Sequence, residues 1–177
     1  EPVIDFKQEP IEETISKGLI VTMTYPDGAH DAETLLVDPL TEDIFVVTKN
    51  WKGDTGIYKK PAPHVDGEVV MLSLEVTFNF CRKPFTGCAT TAGDISINGE
   101  WIVVRTYFSE LYMWHRDPMK SLESAFFRDP CPLDVKLMGQ VESIAFDTEI
   151  NGFFSVSEGL TPPVYWTYVD GLYGSAE

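Results

Sequence analysis

From residue 18 onward, short apolar runs alternate with turn signals. Gly18 to Tyr25 is rich in Ile, Val and Thr and reads as a strand, ended by Pro26-Asp27-Gly28. Residues 33–38 form the next run and residues 44–49 another, with Pro39 to Glu42 turning between them. Gly56 to Lys59 is a short strand. Pro61, Pro63 and Asp66-Gly67 then break the pattern before Glu68 to Phe80, where Val, Leu and Phe interleave with polar residues.

The same order recurs. Asp94-Ile95-Ser96-Ile97 meets the hairpin signal Asn98-Gly99, and Trp101 to Tyr107 and Leu111 to Trp114 follow. Met119 to Arg128 predicts a helical segment with Leu122, Ala125 and Phe126 on one face, stopped by Pro130. Pro132 to Leu137 predicts a fourth strand. A third unit has strands at 141–147, 153–157 and 163–169.

An acidic residue stands near the start of the first strand in each unit: Glu33, Asp94 and Glu142. Taken as equivalent, they are spaced by 61 and then 48 residues. Repeats of roughly 40–50 residues with four strands each point to a β-propeller. Evenly spaced short strands also suit a β-sandwich; the repeated acidic start favours the propeller.

The expected fold is all-β, with about three four-stranded blades. Residues 1–17 form a polar lead-in, residues 18–25 the outer strand of a preceding blade, residues 31–80, 91–137 and 140–170 the blades, and residues 171–177 a tail. Propellers close with four to eight blades. Further blades are therefore expected from a companion chain, such as the upstream part of one precursor, or from a second copy. The start Glu1-Pro2-Val3, without Met, agrees with proteolytic processing.

Composition narrows the partners. The 177 residues include 28 acidic and 13 basic side chains, a net charge of −15. Such a surface repels nucleic-acid phosphates and anionic lipid, and it attracts divalent cations. No apolar run approaches the roughly 20 residues that cross a bilayer. Cys81, Cys88 and Cys131 are odd in number, so one is left over after any internal pair, free to bond a second chain. Cys81 with Cys88 and Cys88 with Cys131 are both open pairings. This cysteine usage leans towards an oxidising, extracellular setting.

Several segments together resemble a propeller family of mostly secreted proteins. They are Tyr25 to Glu33, Leu36-Val37-Asp38-Pro39-Leu40-Thr41, Val47-Thr48-Lys49, Gly93-Asp94-Ile95-Ser96, Val104-Arg105-Thr106-Tyr107, Gln140 to Ala145 and Ser157-Glu158-Gly159. Members of that family are loosely described as esterase-like phytase propellers or uncharacterised extracellular propeller proteins. The resemblance spans roughly residues 20–170 and implies the C-terminal half of a larger propeller. It implies fold far better than reaction.

The candidate chemistry lies on the predicted axis. Three converging carboxylates repel each other and raise their pKa values unless a cation intervenes. Glu33, Asp94 and Glu142 are thus candidate ligands for a hard divalent ion, Ca²⁺ or Mg²⁺. The competing reading has them accept backbone N–H bonds, or has Lys49 or Arg105 neutralise them. His30 neighbours Asp31 and Glu33 and could orient a carboxylate; structural roles are favoured for it, His64 and His115. Trp101 and Trp114 are expected to pack between blades, and Trp51 to be exposed. A Gly-x-Ser-x-Gly elbow and a P-loop are both absent from the sequence.

These readings converge on an extracellular structural or binding module with a companion chain. The alternative is a Ca²⁺-dependent phosphate or ester hydrolase of phytase-like type, using the same acids.

Overall fold

The computed structural model describes residues 18–52, 54–81, 87–108, 110–135, 140–170 and 172. The expected lead-in at 1–17 lies outside these residues, as does nearly all of the expected tail at 171–177.

The chain is all-β, built from several small sheets. β1 (Thr22–Thr24) pairs in parallel with β5 (Val69–Met71). The first antiparallel sheet has the order β2 (Ala32–Val37), β3 (Ile44–Thr48), β4 (Asp54–Lys60) and β6 (Ser73–Asn79). The second runs β7 (Thr90–Ile95), β8 (Trp101–Thr106), β9 (Glu110–His115) and β10 (Cys131–Asp134). The third runs β11 (Val141–Phe146), β12 (Gly152–Ser157) and β13 (Val164–Tyr168). Each is an antiparallel meander; short turns join β2 to β3, β7 to β8 and β11 to β12, while β5 lies between β4 and β6 and a helical segment between β9 and β10. At Asn98-Gly99 the turn needs the left-handed conformation that Gly99 adopts, with φ of 73°.

Three expected elements take a different form. The first strand shortens from 18–25 to β1. The long run Glu68 to Phe80 divides at buried Leu72, whose N–H donates to Thr24 O at 2.8 Å, so its first part joins β1 and its second part the first sheet. The helical segment is a 3₁₀ helix over Leu122–Phe127, held by short-range bonds such as Arg128 N–H to Ala125 O. It buries the expected Leu122, Ala125 and Phe126.

The second sheet lies between the other two, which explains why its central strand is apolar on both faces. Ile102 and Val104 of β8 point to one side, with Tyr112 and Trp114, into a core shared with Leu36, Phe45, Val47, Ile57 and Phe80 of the first sheet and its following residues. Val103 and Leu111 point to the other side, against Ile144 and Phe153 of the third sheet. Trp114 is buried in the first of these cores. Trp101 packs beside Met113, Ile150 and Leu172, and its Nε1–H donates to Leu172 O at 2.9 Å.

The first strands of the three sheets lie side by side, β7 against β2 on one flank and against β11 on the other. Gly93 permits this approach. A Cβ there would come within 2.8 Å of Thr34 Cγ2 and of the Val103 carbonyl oxygen. Side-chain hydroxyls stitch the strands together: Thr90 Oγ1 donates to Thr48 O at 2.8 Å, and Thr91 Oγ1 to Val141 O at 2.6 Å.

Candidate functional site

Each of β2, β7 and β11 carries a one-residue bulge at its second position. Ala32 pairs with Thr48 and Thr34 with Val47, so Glu33 is the extra residue. By the same pattern Thr91 is extra in β7 and Glu142 in β11. The residues that follow each partner strand are equivalent too. Lys49 N–H donates to Asp31 O, Tyr107 N–H to Ala89 O and Glu158 N–H to Gln140 O, at 2.7, 2.9 and 2.8 Å.

This register corrects the sequence alignment of the units. The residue equivalent to Glu33 and Glu142 is Thr91, not Asp94. Asp94 lies three positions further along β7, on the face turned to the third sheet. Its Oδ1 accepts from Ile95 N–H at 2.8 Å, and its Oδ2 accepts from Phe146 N–H at 2.7 Å. Burial raises its pKa, and these two backbone donors act in the opposite direction. Asp94 thus joins β7 to β11.

Glu33 and Glu142 do come together. Lys49 Nζ meets Glu33 Oε1 at 2.6 Å. The pKa of Glu142 is raised by burial and then by Glu33, while Lys49 pulls the other way. Burial lowers the pKa of Lys49, but the hydrogen bond to Glu33 and the charges of Glu33, Glu142 and Asp31 leave it raised overall. The ammonium also sits 5.6 Å from the Trp51 ring centroid and 5.2 Å from that of Tyr107. Gln140 Nε2–H donates to Tyr107 Oη at 2.6 Å. Trp51, 57% exposed, packs edge-on to Tyr107.

The donor set does not fit a hard divalent cation. Lys49 supplies the positive charge between the two glutamates, and both oxygens of Asp94 are engaged by backbone N–H groups. No group of three or more His, Cys, Asp or Glu side chains among the described residues is arranged to hold a metal ion.

The histidines stay apart. His30 turns away from Glu33 towards Asp27, its Nε2 lying 2.9 Å from Asp27 Oδ1 and 3.1 Å from Tyr58 Oη, while that phenol donates to Asp27 Oδ2 at 2.8 Å. These hydrogen bonds lower the pKa of Asp27, and burial followed by Asp27 raises that of Tyr58. A small cavity of about 180 Å³ adjoins this group. His64 Nε2 meets the Glu42 carbonyl at 2.7 Å. His115 packs edge-on to Trp101 and lines a larger cavity of about 440 Å³, mostly apolar, with Trp101, Met113, Leu133 and Leu172.

Cys81 and Cys88 form a disulfide, which resolves the open pairing, and Cys131 is free and exposed. No helix among the described residues is long and apolar enough to cross a membrane. Comparison of the chain with protein-family models and with curated proteins finds no match to either.

Proposed function

We propose that the chain forms adjacent blades of a β-propeller and acts as an extracellular structural or binding module, closed into a ring by further sheets. The observation that carries this reading is the set of exposed apolar side chains on both outermost sheet faces. On the first sheet, Leu35, Val37 and Leu74 project into solvent, with Leu35 59% exposed. On the third sheet, register places Phe154 opposite Trp166 and Gly152 opposite Tyr168, so Phe154, Val164, Trp166 and Tyr168 share one exposed face.

Contiguous apolar faces of this kind mark protein interfaces. The interfaces already inside the chain bury the same classes of residue, so a further sheet would cover these exposed side chains in the same manner. The companion is the remainder of a propeller, in the same precursor or in a second chain, as the resemblance to secreted propellers suggests. The Cys81–Cys88 disulfide supports an oxidising compartment. The binding side of the assembled particle is the end that carries Trp51, Tyr107, Lys49, Glu33 and Glu142. An aromatic surface beside charged hydrogen-bonding groups there suits a polar ligand.

Analytical ultracentrifugation with a hydrophobic dye tests this reading. The purified chain should either sediment above its own 19.9 kDa or bind the dye strongly. Trp166→Glu with Phe154→Glu should reduce whichever response is found. A monomer of 19.9 kDa that binds no dye would overturn it.

A further inference from the structure

Arg105 lies on the face of β8 turned towards the third sheet, between its ladder partners Ala92 and Leu111. It is 1% exposed. Its Nη1–H donates to Ser155 Oγ at 3.3 Å, and Ser155 is itself buried. The Nε and Nη2 groups have no hydrogen-bond partner among the described residues. No carboxylate forms an ion pair with Arg105 among the described residues. Burial alone pulls the guanidinium pKa down to about 10, which still leaves it charged at neutral pH.

The sheet architecture does not demand a cation here. Register gives Val47 in the first sheet and Val156 in the third at the equivalent position. An isolated buried ion is costly unless it is paired. The free groups also have a direction. Nε–H and the neighbouring N–H of Nη2 lie along one edge of the planar guanidinium, the edge that grips an anion with two parallel hydrogen bonds. The Ser155 hydroxyl accepts from Nη1, so its own proton can be donated. A water molecule would satisfy the N–H groups but would leave the charge uncompensated.

We propose that Arg105 and Ser155 hold a small inorganic anion, of halide size, sealed between the second and third sheets as a structural part of the fold. This site is independent of how the outer faces are closed.

Thermal melting at constant ionic strength tests it, with sodium chloride replacing sodium gluconate, whose anion is too bulky for a sealed site. A ligand bound only by the folded state stabilises in proportion to the logarithm of its concentration above its Kd. Each tenfold rise in chloride should therefore raise Tm by about 3–5 °C in a chain of this size. Arg105→Val, which restores the residue of the other two sheets, should abolish the response. The proposal is overturned if the wild type melts at the same temperature in both salts, or if the variant keeps the full response. Should the variant fail to fold, crystals of the wild type soaked in sodium bromide decide the matter. An anomalous peak within hydrogen-bond distance of Nε and Nη2 supports the site, and its absence there overturns it.

Discussion

Arg116 and Asp38 form a salt bridge of 2.7 Å in which each side chain is 1% exposed. Asp38 follows β2 in the first sheet, and Arg116 follows β9 in the second, so the pair locks two sheets at one end. Each of their other side-chain nitrogen and oxygen atoms also has a partner. Asp38 also accepts from Leu40 N–H and the Thr41 hydroxyl, and Arg116 Nε and Nη2 both donate to Lys120 O. A buried pair in which every nitrogen and oxygen has a partner tolerates burial; one whose partner is deleted does not. Arg116→Met should therefore cost about 3–5 kcal/mol, because Asp38 is left charged in the interior. Urea denaturation checks this, and a loss below about 1 kcal/mol would show that the pair behaves as an exposed one.

Gly93 sets how closely β7 approaches β2. A Cβ there would meet Thr34 Cγ2 and Leu36 Cδ2 of β2 and also the backbone carbonyl of Val103 on β8, which cannot swing aside as a side-chain tip can. Gly93→Ala should destabilise the chain by about 1–3 kcal/mol through overpacking, measured by chemical denaturation. A neutral or stabilising result would mean that Gly93 has more room between β2 and β8 than these distances allow.

Glu142 gives a pH signature. Burial and Glu33 raise its pKa above 4.5. The folded chain then binds this proton more readily than the unfolded chain does. Stability from this group is greatest at acid pH and falls as pH rises from the ordinary glutamate range through the raised value. Glu142→Gln should remove that fall, so the variant gains relative to the wild type as pH rises to neutral. Urea melts across the acid-to-neutral range read the difference. A variant that loses ground towards neutral pH would place the ionised carboxylate in a stabilising role instead.

The cysteines predict a labelling pattern. Cys81 and Cys88 are bonded and Cys131 is exposed. Alkylation of the native, unreduced chain followed by peptide mass mapping should modify Cys131 and leave Cys81 and Cys88 linked. A Cys88–Cys131 peptide would contradict the arrangement.

The strands were legible in the sequence because the turn chemistry between them is strong. Asn98-Gly99 and Pro39 to Glu42 each end one apolar run and start another, and both separate paired strands. The pairing of successive strands was also legible, but their register was not. Aligning acids put Asp94 beside Glu33 and Glu142, whereas the backbone aligns Thr91, a residue without charge. A bulge shifts the alternation by one residue, but these bulges stand at the second position of each strand, where only one paired residue precedes them and no alternation is yet set. One hint was present: Trp101 follows Asp94 by seven residues while Ile44 follows Glu33 by 11, and counting from Thr91 makes that interval ten. Lys49 was legible as a neutralising group because it directly follows the strand that pairs with β2. Arg116 was not, because its partner is 78 residues away. Nor was the isolation of Arg105, which depends on what the third sheet sets against it.

The most direct test of the proposed propeller is a structure of the assembled particle, by crystallography or electron cryo-microscopy. In the proposed propeller, further four-stranded sheets cover both outer faces, burying Leu35 and Val37 on one side and Phe154 and Trp166 on the other, with first strands continuing the series β2, β7 and β11 about one axis. A particle in which these two faces remain in solvent, or are covered by something other than sheets, would contradict it.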